Sequence, residues 1–322
     1  MASNSTSPRG DFWSWVRAAL AFRPIGNRML DDGDLPLIYR VIDYQAVARQ
    51  GDFWRAKRLH LTVLLLAAVT AVLAERLDSR VQAVLAAVLY GLTFVIGVRA
   101  LRGRPGADGH VERVAAESVK STAWLYMVHG GSFHSRVADP DALFIHRVEE
   151  ALRQLSVWGL QDPRSTSTAF GSELITPAMR AVRAKPFEAR REIYLRDRLL
   201  EQTEWYRRAS ARAYTASVRW SAVSAGLTLV ALLTAVLQAA GLMSGGYLAG
   251  LLSAAVAAAV AWQEAHRYRP RAAAYALVTQ ELMTLRIAMA ATVTEEGWAD
   301  AVAGAEQLVF PQRIDLMMGI ST

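Results

Sequence analysis

The chain contains no cysteine. Disulfides, thiolate metal sites and a cysteine nucleophile are therefore excluded. Charge is also scarce: Asp, Glu, Lys and Arg make up 20% of the 322 residues, against about 25% in a typical soluble domain. The shortage is local. Trp220 to Gln263 form 44 consecutive positions without an Asp, Glu, Lys or Arg, about twice the roughly 20 apolar residues that one membrane crossing needs. No stretch of useful length alternates with the period of a strand, so the chain reads as all-α. Common chemical signatures are missing too. There is no Gly-x-x-x-x-Gly-Lys-Ser/Thr loop, Gly-x-Gly-x-x-Gly or His-Glu-x-x-His, and no Gly-x-Ser-x-Gly elbow. His129, His134 and His146, with Asp139 and Asp141, fit no compact ligand spacing. No enzyme activity, cofactor or metal is expected.

What is present is apolar sequence in four runs: Leu59 to Ala74, Val81 to Val98, Ser221 to Ala240 and Gly246 to Trp262. The first two are short for a span, but Lys57 and Arg58 can snorkel and lengthen the first. Short connections, Glu75 to Arg80 and Gly241 to Gly245, pair the runs as two helical hairpins. The expected fold is an all-α integral membrane protein with four spans and long cytoplasmic helices. Basic residues fix the orientation. Within 15 residues of the outer span ends lie 15 Lys and Arg, such as Arg49, Arg99, Arg212 and Arg271, while the two tips hold 2, Arg76 and Arg80. The tips are expected outside. The N-terminus, central segment and C-terminus are expected in the cytoplasm, with the protein multi-pass in the inner (plasma) membrane. The net charge of +7 sits beside the apolar runs and reads as topology rather than as a nucleic-acid site.

Five regions follow. Residues 1–36 are an N-terminal segment whose Trp13, Trp15 and Phe22 suit an interfacial helix or one docked on the rest. Residues 37–135 form a first two-span unit, 136–186 a cytoplasmic helical connector, 187–295 a second two-span unit and 296–322 a C-terminal tail. In the connector, Asp139-Pro140-Asp141 starts one helix and Thr176-Pro177 caps another. Val111 to Val128 reads as a helix with Glu117 and Lys120 paired on one face, ended by a Gly130-Gly131 cap. Residues 163–172 read as a loop. A weak internal repeat links the units. In each, a Trp precedes the hairpin (Trp54, Trp205) and an Arg-Pro pair follows it (Arg104-Pro105, Arg269-Pro270). A glutamate stands 11 or 12 residues later (Glu117, Glu281).

The polar and aromatic residues of interest lie on the cytoplasmic helices. Glu117, Lys120, Trp124 and Tyr126 form one group. Tyr194, Arg198, Gln202 and Trp205 step by 4, 4 and 3, so they share a helix face, with Tyr206 beside it. This stripe reads as juxtamembrane packing, or as the joint that passes a signal to the spans; Glu281 belongs with it. In the spans, Gly250, Ala254 and Ala258 are four apart, as are Ala222 and Gly226. Such spacing lets helices approach closely, within a hairpin or between subunits of a homo-oligomer. No ionisable residue lies inside a span except His60 at its edge, which disfavours a transporter.

These residues resemble a known family. Ala116-Glu117-Ser118-Val119-Lys120, Trp124, Tyr126 and Phe133 look like the region after the hairpin in one type of SLATT domain, the SMODS and SLOG-associating two-transmembrane effectors of bacteria. Ile175-Thr176, Met179-Arg180, Arg191, Tyr194-Leu195, Arg198, Gln202 and Trp205-Tyr206 look like the approach to the hairpin of a second type. The resemblance covers residues 37 to 295 and implies two fused copies. It further implies a membrane effector of antiphage conflict systems that opens pores when a nucleotide synthase or nucleotide sensor activates it. The alternative is a membrane-anchored scaffold presenting its cytoplasmic helices to partners.

Overall fold

The structure, a computed structural model, describes residues 30–77, 80–102, 105–157, 174–242, 247–291 and 294–309. Among them all regular structure is helical: α1 (Leu37–Leu77), α2 (Arg80–Arg102), α3 (Pro105–Val128), α4 (Pro140–Val157), α5 (Pro177–Arg183), α6 (Phe187–Ile193), a π-helical segment (Tyr194–Leu200), α7 (Glu201–Ala239), α8 (Tyr247–His266), α9 (Tyr268–Ala291) and α10 (Glu295–Val309). Single 3₁₀ turns cover Asp32–Asp34 and Gly131–Phe133. The interfacial or docked N-terminal helix and the 163–172 loop fall outside the described residues.

Two units share one plan. In α1–α2–α3 and in α7–α8–α9, a long helix of 41 or 39 residues is followed by a return helix of 23 or 20. Then a third helix, 24 residues in both units, folds back on the start of the long one. Arg49 reaches Glu112 at 3.1 Å across the first such pair. Ser210 donates to the Ala272 carbonyl at 2.8 Å across the second. This is the repeat read from Arg104-Pro105 and Arg269-Pro270.

Three helical runs are long and apolar enough to cross a membrane: Leu37–Ala74, Arg80–Arg99 and Phe187–Ala239. None of the most apolar window of the third is buried within the protein. Leu229, Leu232 and Val236 are each more than half exposed. Such surface is sustained by lipid, not by water. Helix α8 returns along α7 and carries no Asp, Glu, Lys or Arg before Glu264. Its end packs on α1, where the Trp54 ring stacks on His266 with centroids 3.9 Å apart. This aromatic contact ties the first hairpin to the second.

Three local readings need correction. Glu75 and Arg76 are not loop: α1 runs through them to Leu77. The helix read from Val111 begins earlier, at Pro105. Gly130 is not the left-handed residue that ends α3; His129 is, at φ 60, with the Gly130 amide donating to the Leu125 carbonyl at 2.8 Å. Glycine stands at 130 for a different reason. A Cβ there would lie 2.6 Å from Val302 Cγ1, so its absence lets α10 close on α3.

Residues 296–309, read as part of a tail, belong to this helix α10, which begins at Glu295. Its Trp298, Val302, Ala305 and Val309 are buried at i, i+4, i+7 and i+11, the spacing of an inward helical face. They join Val119, Met127, Phe144, Met179, Tyr194 and Leu282 in one core. Both units, the connector and α10 therefore share a single core, from which the two hairpins project.

Candidate functional site

At the centre of that core lies a cluster of buried charge. The π segment presents Tyr194, Asp197, Arg198 and Leu199 inward. A π segment bonds i→i+5 and recurs at functional positions. Here it sets Tyr194 and Arg198 on the same partner. Arg198 is 1% exposed. Its Nη2 donates to Glu306 Oε2 at 2.7 Å and to Glu117 Oε1 at 2.6 Å, and its Nε donates to Glu306 Oε1 at 3.1 Å. The Tyr194 hydroxyl donates to the same Glu306 oxygen at 2.9 Å. One guanidinium thus binds the first unit through α3, the second through its own helix, and α10.

A second ion pair extends the cluster. Lys120 donates to Asp32 Oδ1 at 2.8 Å and to the Tyr39 hydroxyl at 3.3 Å. The Glu117 and Lys120 side chains, expected to pair with each other, are thus each hydrogen-bonded across elements instead. Electrostatics match the geometry. Burial alone raises a carboxyl pKa, yet Arg198 and Lys120 outweigh it and hold Glu117 below its ordinary value. Burial likewise opposes the Arg198 charge, and the two glutamates more than restore it. Tyr194 is pushed up by burial and by the Glu306 carboxylate. Glu117 and Arg198 therefore stay ionised at neutral pH, and the Tyr194 hydroxyl keeps its proton.

The other expected residues are distributed as follows. Trp124 packs edge-on against Tyr194 at 5.9 Å and completes the cluster's apolar wall. Tyr126 faces elsewhere, donating to Asp141 at 2.7 Å. Gln202 is half-buried and takes no part in the network, because the π segment turns the inward stripe to Glu201, Tyr206 and Ala209. Trp205 and Tyr206 pack on Tyr275 of α9, within the second unit, rather than on the connector. Glu281 is half-buried on α9. In the spans, Ala222, Gly226 and Gly250 are exposed, and a Cβ on either glycine would meet nothing within 4 Å. Ala254 and Ala258 are half-buried. The glycines are therefore not spacers inside their own hairpin.

Sequence reasoning missed Glu306, Asp32, Trp298 and Arg190. Trp298 Nε1 donates to the Val128 carbonyl at 2.7 Å. Arg190 donates to the same carbonyl at 3.2 Å and pairs with Glu295 at 3.2 Å. The open C-terminal carbonyls of α3 are thus what α10 and α6 hold. The signal was available in the apolar spacing from Trp298 to Val309.

Comparison with known proteins agrees with this two-unit plan. A family model described as SMODS and SLOG-associating 2TM effector domain 3 matches residues 36–191. One described as SMODS and SLOG-associating 2TM effector domain 1 matches residues 194–315. The first takes in the 136–186 connector and the second takes in α10. The junction falls at the start of the π segment. Neither a curated protein nor a solved structure matches the chain.

Proposed function

The chain belongs to the SLATT family of membrane effector domains, with one domain of type 3 and one of type 1 fused in tandem, and from that premise we propose that it is a self-associating pore. The pore is held closed by the Arg198 cluster until a nucleotide-signalling partner disturbs it. The spans lie in the inner membrane with both tips outside and the core in the cytoplasm, as the basic flanks favour.

One observation carries this reading. The run from Phe187 to Ala239 is continuous helix over 53 residues, about 80 Å at 1.5 Å per residue. It crosses the domain junction, passes through the buried Arg198 and ends in the bilayer. Any event that draws Glu306 or Glu117 away from Arg198 acts on the cytoplasmic end of a spanning helix. Where a packed core is bistable, small shifts are converted into large ones.

The test uses the exposed glycines. Leucine at Gly250 or Gly226 clashes with nothing in the same chain, so an effect on activity reports a neighbouring copy. Wild-type protein, induced together with its activating system, is expected to collapse the dye-reported membrane potential. Gly250→Leu, inserted to the same level, is expected to leave it intact. A steady potential in activated wild type contradicts the pore reading and leaves a membrane-anchored scaffold.

A further inference from the structure

Beside the bilayer, α7 and α9 enclose a groove of about 730 Å³ whose lining includes Arg207, Tyr214, Ser217, Val218, Arg269 and Ala276. Its walls are mostly small and apolar, and no acidic residue lines it. The two arginines differ. Arg207 is already neutralised by Glu204 at 2.7 Å. Arg269 is exposed, donates to the Ser217 hydroxyl at 3.4 Å, and makes no ion pair among the described residues.

Position adds to charge. Trp220 marks the edge of the span. Val218 lies about 3 Å and Tyr214 about 9 Å below it, at 1.5 Å per residue. The headgroup layer is about 5–7 Å thick on each side. The groove's mouth, with Ser217, Val218 and Arg269, therefore opens within that layer. Above it, Ala222, Ala225, Leu229 and Leu232 continue the same exposed face of α7 into the bilayer. The two alanines leave a shallow track there.

We propose that this groove is a binding site for one anionic phospholipid. The lipid phosphate sits on Arg269 beside the Ser217 hydroxyl, the glycerol backbone lies against Val218, and an acyl chain follows Ala222 and Ala225 upward. An uncompensated cation at headgroup depth beside an apolar track matches the charge and amphipathy of such a lipid. The occupant follows from those two features, and the site stands whether the protein is a pore or a scaffold.

The experiment places the full-length protein in nanodiscs of equal phosphatidylglycerol and phosphatidylcholine, transfers it to mild detergent and counts retained lipid by native mass spectrometry. Wild type is expected to retain one phosphatidylglycerol in preference to phosphatidylcholine. Arg269→Gln is expected to cut that preference about fivefold, and Ala276→Trp, which fills the groove, to abolish retention. Arg153→Gln, on α4, is expected to behave as wild type. Unchanged preference in either groove variant overturns the proposal. So does displacement of the bound species by excess inorganic phosphate, which marks a free-anion site. The chain has no native cysteine, so Tyr214→Cys adds a further check: stoichiometric disulfide-linked dimers would put a second copy in the groove and equally overturn it.

Discussion

Arg198 and Glu306, 108 residues apart in the chain, meet as a two-point ion pair, with Nη2 to Oε2 at 2.7 Å and Nε to Oε1 at 3.1 Å. Both are buried. Two ions this deep cost several kcal/mol each to desolvate, so the pair survives only because Tyr194 and Glu117 satisfy further bonds. Pairs of this kind are costly to break singly. Arg198→Met strips the cation from the buried Glu306 and the half-buried Glu117 and is expected to lower stability by about 3–5 kcal/mol. Thermal unfolding in detergent measures it, and a loss below about 1 kcal/mol would show the cluster to be hydrated rather than buried.

Gly130→Ala tests the seat of α10. The added methyl meets Val302 and Leu125 inside ordinary contact, so α10 must move off α3. An overpacked site of this kind costs about 1–3 kcal/mol. The expected signature is faster proteolysis within residues 295–309 while the hairpins stay protected. Equal cleavage in variant and wild type would mean that α10 adapts without shifting.

His129 makes stability depend on pH. Burial, with the Arg190 and Arg183 charges, pulls its pKa down to about 4 from an ordinary 6.5. Between those values the unfolded chain binds the proton and the native one does not, so stability falls as pH drops from 6.5 towards 4. The residue is only partly buried, and solvent screening holds the effect to about 1 kcal/mol. His129→Asn keeps a residue that tolerates positive φ and is expected to flatten the slope in that window. An identical slope in both proteins would place the titration elsewhere.

Topology is checked with reporter fusions. Those at Asp162 and Thr322 are expected to report cytoplasm, and one at Ser244 the outside. A cytoplasmic signal at Ser244 would break the second hairpin.

The hairpins and their pairing were legible because membrane spans write themselves as long uncharged runs, and Ser221 to Trp262 leaves little else to read. The Thr176-Pro177 helix start was equally plain: the Thr176 hydroxyl accepts from the Met179 amide at 3.2 Å. Much less of the charge cluster could be read. Glu117 and Arg198 stood out as polar residues on helix faces, but a pair separated by 81 residues has no local signature. Gln202 was grouped with Arg198 on α-helical spacing, and a π segment changes that spacing without any residue that announces it. Glu306 has no signal of its own: its helix lies beyond the second hairpin, and only the apolar spacing from Trp298 to Val309 marks it.

The proposal that the Arg198 cluster holds a pore shut is tested most directly by the dye-reported membrane potential of cells expressing Glu306→Gln without any activating partner. Glutamine keeps the shape and one acceptor oxygen but removes the charge that Arg198 pairs with. With insertion matched to wild type by fractionation, Glu306→Gln is expected to depolarise the membrane on induction, wild type to leave it polarised, and Glu306→Gln combined with Gly250→Leu to restore the potential. A fully inserted Glu306→Gln protein that leaves the potential steady would contradict the account.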